Sequence, residues 1–505
     1  MASAATEPQL APASTRADTA ILLAIASAIA LLHILTNNRY GFHRDELQFL
    51  SDARHLEWGF VPYPPFTPFI ERIGLHLFGI SMVGLRLFSV VAQSTAIVVT
   101  GLMTREFGGS RLAQIIAASA VALSPLPLFQ GTEFQYSSFD YLWWVLAAYF
   151  AIRLLKTEDP RWWIAIGASF GLGLMTKYTI CLAIAGLILG LIATPYRRLL
   201  LTYGFLAGVA TALLIFLPNF LWQAHHGFIT YHFLQHIHVR DVAQGRAEKF
   251  LTRQFTVNNN FYAAPLWIGG LICLLRSPRF RALAFLYIVP FVALYFGKGL
   301  FYYLAPPYPL LIAMGSAAGV CWAASLRRPW GVVLEAVMLL GIAGGGAYAC
   351  ALVIPLANSG PIKQFALKNN DTLREEFGWD ELIQTLAAIR DSMPPDRQQS
   401  LGIVVGNYGE QGAIELLGPP YHLPPPISMT NSAWLRGYPT PQPTTLIVLG
   451  FSRKGADQTF AECRLAGRET NREGLHNEEY GSEIFVCGPP RQPWPEFWKT
   501  HQHFG

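Results

Sequence analysis

Long uninterrupted apolar runs decide what this chain can fold into. About eleven of them, near residues 20–36, 81–103, 112–128, 138–155, 161–176, 178–194, 199–221, 261–275, 282–297, 303–325 and 331–356, approach or exceed the ~17–20 residues that a helix needs to cross a bilayer. Inside hydrocarbon every backbone N–H and C=O must be paired within the protein, so runs of this kind fold as helices. Only 14% of the 505 residues are charged, against roughly a quarter in a soluble domain, and the deficit lies in these runs. The expectation is an α-helical polytopic membrane protein with about eleven transmembrane helices.

Loop charge gives the orientation. Alternate short loops, "TREFGGSR", "RLLKTEDPR", "PYRR", "RSPRFR" and "SLRRP", are rich in Arg and Lys, and they alternate with loops of little charge such as "FQGTEFQYSS" and "MTKYT". The positive-inside rule puts the N-terminus in the cytoplasm and, with an odd number of spans, the C-terminal segment outside. The polar stretch 1–17 reads as a disordered cytoplasmic leader and not as a cleavable signal peptide. The membrane part runs over 18–358, with two long outer loops at 37–80 and 222–260. In the first, "LQFLSDARHL" and "FTPFIERIGLHLFG" carry helical apolar spacing and read as helices lying along the interface, joined by a Pro-rich turn at 62–68. The second holds Arg240, Arg246, Lys249 and Arg253 against the charge trend. It is either the lining of an anion site or a loop long enough to escape the rule. The net charge of +5 is spread over short loops without a patch, which excludes nucleic acid as a partner.

From about 359 to 505 the character changes. "TLREEFGWDELIQTLAAI" has amphipathic helical spacing, and "LGIVVGN", "TTLIVLGF" and "SEIFVC" are short strand runs bounded by Gly and Pro. This predicts a small soluble α/β domain on the outer, periplasmic or extracellular side. Cys463 and Cys487 are the two cysteines within it, and an oxidising compartment permits their pairing. "GNYGEQGA" after the first of these strands is similar to a Gly-rich anion loop but is not GxGxxG, and it reads as a turn into a helix.

Chemistry-bearing residues gather near the outer ends of the spans. "GFHRDELQFL" follows the first span and sets His43, Arg44, Asp45 and Glu46 in a row. An acidic pair there is either an interfacial cluster satisfied by Arg39 or Arg44, or a general base. Asp140 in "YSSFDYLWW" and Arg86 early in the second run are intramembrane charges, which are costly unless paired or facing a polar cavity. Lys177 in "LMTKYT" and Lys298 in "FGKGLFYYLAPPYP" are either snorkelling lysines or cations for a phosphate. Tyr302 and Tyr303 beside Lys298 are either belt residues or phosphate-binding hydroxyls. His43, Tyr63, Glu133 and His225 in the outer loops are further substrate-contact candidates. His232 and His236 share i, i+4 spacing, yet no HExxH is present and carboxylates are sparse nearby. No metal site and no required cofactor are read from the sequence, with a divalent cation left open. Carboxylates and lysines converging at one membrane face are what a site needs if it deprotonates a hydroxyl and holds a lipid-borne phosphate.

Taken in order, "HRDELQFL", "PYPPFTPFI", "SMVGLRLFS", "YSSFDYLWW", "GLGLMTKYTI" and "GKGLFYYLAPPYPLLIAMG" resemble the bacterial branch of the dolichyl-phosphate-mannose protein mannosyltransferase superfamily, which also contains the lipid A aminoarabinose transferases. The resemblance implies a C-type glycosyltransferase fold in a bacterial inner membrane. It implies inverting transfer of a sugar from a polyprenyl-phosphate donor to a protein, lipid or glycan acceptor at the outer face. The acidic residue of the first outer loop corresponds to Asp45, with Glu46 beside it, and the second carboxylate corresponds to Asp140. Lys298, Tyr302 and Tyr303 correspond to the donor-side segment and Lys177 to the basic residue of the Thr-Lys turn; Arg44 and Arg86 are additional cations for the phosphate. Where the aminoarabinose branch has Glu-Lys before the loop proline, this chain has Tyr63-Pro64, which counts against that donor and against a metal-assisted site of that type.

Two other classes compete. A lipid or lipid-linked-sugar transporter would also carry intramembrane charges and broken spans, but no internal repeat is visible and the charges cluster at one face. A membrane-anchored sensor would not need about eleven spans.

Overall fold

The computed structural model describes residues 16–505, so nearly all of the leader expected over 1–17 lies outside the described residues. Every apolar run is helical. The membrane helices begin with α1 (Arg16–Thr36), and the 37–80 loop forms α2 (Arg44–Arg54) and α3 (Phe66–Phe78). Then come α4 (Met82–Glu106), α5 (Arg111–Ala122), α6 (Pro125–Thr132), α7 (Tyr136–Thr157), α8 (Trp162–Leu174), α9 (Ile180–Ile192) and α10 (Tyr203–His225). The 222–260 loop gives α11 (Ile229–Ala243) and α12 (Phe250–Thr256), before α13 (Ala264–Arg276), α14 (Arg281–Phe296), α15 (Tyr308–Ser325) and α16 (Arg328–Val353).

Among the described residues six helices, α1, α4, α7, α10, α15 and α16, are long and apolar enough to cross a membrane. The pair α5 and α6, bent by 59°, and α9 with the 3-10 turn Pro195–Leu201, bent by 118°, raise that number to eight if each pair is one span. Both breaks have the same cause. Pro125 and Pro195 open the second piece, and a proline cannot donate the hydrogen bond that would continue the first. Three shorter apolar helices, α8, residues 261–276 and α14, cover the remaining runs.

The chain divides into two compact units, each with its own core. The first comprises residues 16–36, 86–220 and 241–356. Its interior is rich in alanine and leucine, including Ala113, Ala117, Ala120, Ala147, Ala151 and Leu311, small side chains that let helices approach closely.

The second comprises residues 37–85, 221–240 and 357–505. It joins α2 and α3 to α17 (Pro361–Asn369), α18 (Trp379–Asp391), α19 (Pro395–Gln399), β1 (Leu401–Val405), α20 (Tyr408–Leu417), β2 (Pro426–Ser428), β3 (Thr445–Val448), α21 (Arg453–Thr459), β4 (Arg464–Arg468), β5 (Glu483–Cys487) and α22 (Trp494–Thr500). The sheet runs β2-β1-β3-β5-β4, with β1, β2 and β3 parallel and β5 antiparallel to both β3 and β4. Alternation along the strands feeds two layers. Ile403, Val405 and Ile447 pack with α18 and α20, while Val404, Val448 and Phe485 pack with α21 and α22. Cys463 and Cys487 form a disulfide that ties the start of β4 to the end of β5.

The 37–80 loop is embedded in this second unit. Leu47 and Leu50 of α2, expected to lie along a membrane surface, are instead buried against α18 and α20 in one cluster. The reason is local geometry: a Cβ at Gly412 of α20 would collide with the Leu47 carbonyl, so only glycine lets the two helices come this close.

Candidate active site

The charged tetrad at the start of α2 resolves into distinct jobs. His43 is the N-cap, its Nδ1 accepting from the Asp45 backbone N–H at 3.2 Å, and Glu46 Oε2 accepts from the His43 N–H at 2.8 Å. This reciprocal cap satisfies two of the orphan donors of the first turn, and it buries Glu46. Asp45, half-buried, keeps its carboxylate for another partner: Oδ1 accepts from the Tyr408 hydroxyl at 3.0 Å. Tyr408 opens α20, and a second capping box fixes it, with Asn407 Oδ1 accepting from the Glu410 N–H at 2.9 Å. Burial, with Asp45 beside it, pushes the Tyr408 phenol well above its ordinary pKa, so it remains a donor.

Arg44 is committed within the same unit. Its guanidinium pairs with Glu478, lies 3.6 Å from Glu479 and sits 4.8 Å above the Tyr408 ring. That arrangement corrects its reading as a phosphate ligand, because two carboxylates already claim the charge. Tyr63 is likewise structural, its hydroxyl donating to Asp52 Oδ2 at 2.6 Å while Arg436 holds Oδ1 at 2.5 Å. Burial pushes the Asp52 carboxyl up to about 6 in spite of Arg436 and that hydroxyl. His225 ends α10, exposed, with its ring 5.1 Å from that of His226. His232 is exposed and His236 packs 5.8 Å from the Phe504 ring. Among the described residues no group of three or more His, Cys, Asp or Glu side chains is placed to hold a metal ion.

A second cluster lies in the first unit, where the α8–α9 turn meets the segment before α15. The Lys177 ammonium is surrounded by three rings, at 4.1 Å from Tyr303, 4.5 Å from Tyr136 and 5.2 Å from Tyr302. Asp140, near the start of α7, is the carboxylate in electrostatic reach of that ammonium. Its Oδ2 accepts from the Thr179 hydroxyl at 3.0 Å, and the Trp144 indole N–H is a second donor to the same carboxylate. The tyrosines are held by α12: Gln254 Nε2 and Asn258 Nδ2 both donate to the Phe301 carbonyl, at 3.2 and 2.8 Å. The Arg253 guanidinium lies 4.6 Å over the Phe301 ring. A cation caged by rings, with Asp140 in electrostatic reach but no carboxylate at salt-bridge distance among the described residues, keeps its donors for an incoming phosphate oxygen.

Three further candidates belong to this unit. Lys298 follows α14 in the left-handed backbone region (φ 51°), exposed. Arg86 is fully buried on α4. Glu133 is buried at the end of α6 and accepts from Gln135 Nε2 at 2.6 Å.

Sequence reasoning missed Tyr408, Tyr136, Thr179 and the specific role of Arg253. "GNYGEQGA" was visible as a turn into a helix, but its contact with Asp45 spans 363 residues, a separation that periodicity does not encode.

Residues 62–222 match the dolichyl-phosphate-mannose-protein mannosyltransferase family. The lipid A galacturonosyltransferase RgtD of Rhizobium johnstonii is 24% identical over 388 residues, covering 73% of this chain and 77% of that protein. The lipopolysaccharide core galacturonosyltransferase RgtB of the same organism is 23% identical over 410 residues, covering 80% and 74%. The crystal structure of ArnT from Cupriavidus metallidurans bound to undecaprenyl phosphate superposes with a TM-score of 0.51 at 16% identity, covering 94% of this chain and 98% of that one. The family match over residues 62–222, these relatives and the shared fold agree with the likeness to the dolichyl-phosphate-mannose protein mannosyltransferase superfamily that the sequence motifs carry. This chain is a membrane glycosyltransferase. The family match takes in Tyr63, Arg86, Glu133, Asp140 and Lys177 of this transferase, while Asp45 and the Lys298–Tyr303 segment lie outside it.

Proposed function

We propose that this transferase moves a hexuronic acid from a polyprenyl-phosphate donor to lipid A or the lipopolysaccharide core, with inversion at the anomeric carbon. The observation that carries the donor class is the Lys177 ammonium held among Tyr136, Tyr302 and Tyr303, with no carboxylate at salt-bridge distance among the described residues. A phosphodiester leaves as a phosphate monoester, and a preorganised cation in a site of low dielectric stabilises the charge that develops on it. The sugar class rests on the galacturonosyltransferase relatives, RgtD acting on lipid A and RgtB on the core by name. Arg253, half-buried and stacked on Phe301, supplies a second cation suited to a sugar carboxylate.

Asp45 takes the acceptor hydroxyl proton as general base, oriented by the Tyr408 hydroxyl; such a base contributes on the order of 100- to 10,000-fold. Asp140 orients Lys177 and balances its charge between turnovers. All eleven apolar runs cross the bacterial inner membrane, the shorter helices in a tilted or locally thinned setting. The N-terminus is cytoplasmic, and the α/β part of the second unit lies in the periplasm. The domain division we adopt is a membrane part over 18–358 and an outer part over 359–505, the latter extended by the 37–80 loop that packs into it.

The test uses purified transferase in nanodiscs with undecaprenyl phosphate carrying radiolabelled galacturonic acid, and lipid A–core as acceptor. Label appearing in the acceptor together with free undecaprenyl phosphate supports the reading. Transfer of another sugar but not of galacturonic acid would retain the reaction and reject the sugar. Leaflet exchange of an intact donor would reject the reaction.

A further inference from the structure

The first turn of α20 carries the hydroxyl that orients Asp45, and one carboxyl holds that turn. Glu410 is 1% exposed. Its Oε2 accepts from the Gly406 N–H at 2.8 Å and the Asn407 N–H at 3.4 Å, while its own N–H donates to Asn407 Oδ1 at 2.9 Å. Tyr408 lies between the two ends of this capping box, and its hydroxyl donates to Asp45 Oδ1 at 3.0 Å. The surroundings are cramped. A Cβ on Gly406 would meet the Gly450 backbone, and one on Gly409 would meet the Trp379 ring, so a displaced Glu410 changes what Tyr408 can reach.

The group that faces Glu410 is another acid. Glu469, the residue after β4, is fixed by backbone hydrogen bonds with Ser482 and Gly481 and is 3% exposed. Its carboxyl is hydrogen-bonded to that of Glu410. A carboxylate offers acceptors alone, so two carboxyls bond to each other only when one of them holds a proton. A second pair, Glu375 of the turn before α18 and Glu479 of the loop after β4, shares a proton in the same way. The other titratable groups around them are Arg44 and Asp45 of α2, Tyr408 of α20 and Glu478 beside Glu479. Arg44 is the cation of this set, and its charge is taken: it pairs with Glu478, lies 3.6 Å from Glu479 and sits over the Tyr408 ring. The charge on Glu410 and Glu469 is met by their proton. Burial raises both carboxyls above the ordinary range, and for Glu469 the charges of Glu410 and Glu479 add to it.

We propose that Glu410 is a positioning residue for the base: through a proton shared with Glu469 it keeps the first turn of α20, and with it the Tyr408 hydroxyl, in place on Asp45. The role rests on Asp45 being the general base. Loss of the shared proton to bulk water leaves two buried carboxylates at hydrogen-bond distance. Their repulsion draws Glu410 away from the Gly406 and Asn407 N–H groups and the Tyr408 hydroxyl away from Asp45. Above the pH at which that proton leaves, the base is present but misdirected. kcat therefore falls on the alkaline side while the donor KM holds.

Turnover is measured against pH for the full-length transferase in nanodiscs, as wild type, Glu469→Gln, Glu410→Gln and Glu410→Ala. Glutamine in either place supplies a permanent N–H donor instead of the shared proton, and at 410 it still caps the turn. Both Gln variants, each normalised to its own plateau, should move the alkaline limb of kcat upward by about one pH unit or more. Glu410→Ala loses cap and pairing together and should lower kcat by about tenfold or more with donor KM unchanged, and Glu410→Gln should recover most of that loss. Tyr408 reports the positioning without the reaction. In isotope-labelled protein its Cζ resonance, assigned by its loss in Tyr408→Phe, should shift in wild type as pH rises through neutrality and stay fixed in Glu469→Gln. A resonance that moves alike in the two enzymes, or in neither, overturns the proposal. A resonance that responds in wild type alone, with an alkaline limb that does not move, places the fault in the Asp45 reading: the pair then sets Tyr408, and Tyr408 does not set the base.

Discussion

Replacing Lys177 by methionine tests the donor side of the reaction. Methionine keeps an unbranched stem among Tyr136, Tyr302 and Tyr303 and removes the charge. Two effects can be separated in advance. A charge-assisted hydrogen bond from the ammonium to a phosphate oxygen contributes about 1.5–3 kcal/mol, and each ~1.4 kcal/mol is tenfold in rate. The loss in kcat/KM for the donor should therefore be about 10- to 150-fold. Removing the cation also leaves the buried Asp140 carboxylate with the Thr179 hydroxyl and the Trp144 indole but without the positive charge in its electrostatic reach, which should lower the melting temperature. The double variant Lys177→Met with Asp140→Asn should recover most of that stability while regaining none of the donor kcat/KM. Donor kinetics and thermal unfolding of wild type, both single variants and the double variant decide the matter. A folded Lys177→Met enzyme with donor kcat and KM within about twofold of wild type would return Lys177 to the status of a snorkelling lysine and refute the phosphate role.

Other outcomes follow from the second unit. Tyr408→Phe removes the hydroxyl that orients Asp45, and should lower kcat by about ten- to a hundredfold with donor KM unchanged; an unchanged kcat would make the contact merely structural. Replacing Cys463 and Cys487 by serine opens a loop with a sequence separation of 24, and the chain-entropy relation gives a loss of about 3.5 kcal/mol, read as a lower denaturation midpoint of this unit; an unchanged midpoint would refute it. Glu410, raised to about 7 by burial and by Glu479, holds a proton in the folded state that the unfolded chain releases near pH ~4.5. Its contribution is therefore complete below pH ~4.5 and is lost as pH rises through about 7, so Glu410 alone should lower the stability of this unit on the order of 2 kcal/mol from pH 5 to 8, and Glu469, raised to about 10 by burial and its neighbouring glutamates, should steepen the decline. Glu469→Gln, which relieves one of the crowded carboxyls, should flatten that decline; an identical slope would contradict the cluster's role.

The membrane helices were legible because periodicity and length are local properties. Each apolar run became a helix, and the breaks at Pro125 and Pro195 fall where proline chemistry puts them. Strands β1, β3 and β5 were legible as buried β-branched runs, and the cysteine pair followed from there being two in the outer segment. The three-residue β2 and the largely exposed β4 carry no such signal. At the site, sequence found the Asp-Glu pair but could not divide its labour. The division comes from His43 capping α2, which turns Glu46 inward and leaves Asp45 for Tyr408. Arg44 and Tyr63 looked available for substrate because their partners, Glu478, Glu479 and Asp52, are either distant in sequence or on a later helical turn. The cage around Lys177 joins α7, the α8–α9 turn and the segment before α15, a convergence that only tertiary packing creates.

The central claim is that Asp45 deprotonates the acceptor in a sugar transfer from a polyprenyl phosphate. The most direct measurement is turnover of Asp45→Asn, an isosteric change that keeps a hydrogen-bonding partner for Tyr408 and removes the proton acceptor. Label transfer from undecaprenyl-phosphate galacturonic acid to lipid A–core is followed beside donor binding, with wild type and Asp140→Asn as references. The account predicts turnover reduced by at least about a hundredfold with donor affinity nearly intact. Near-normal turnover of Asp45→Asn, with Asp140→Asn inactive, would contradict it and move the base to Asp140.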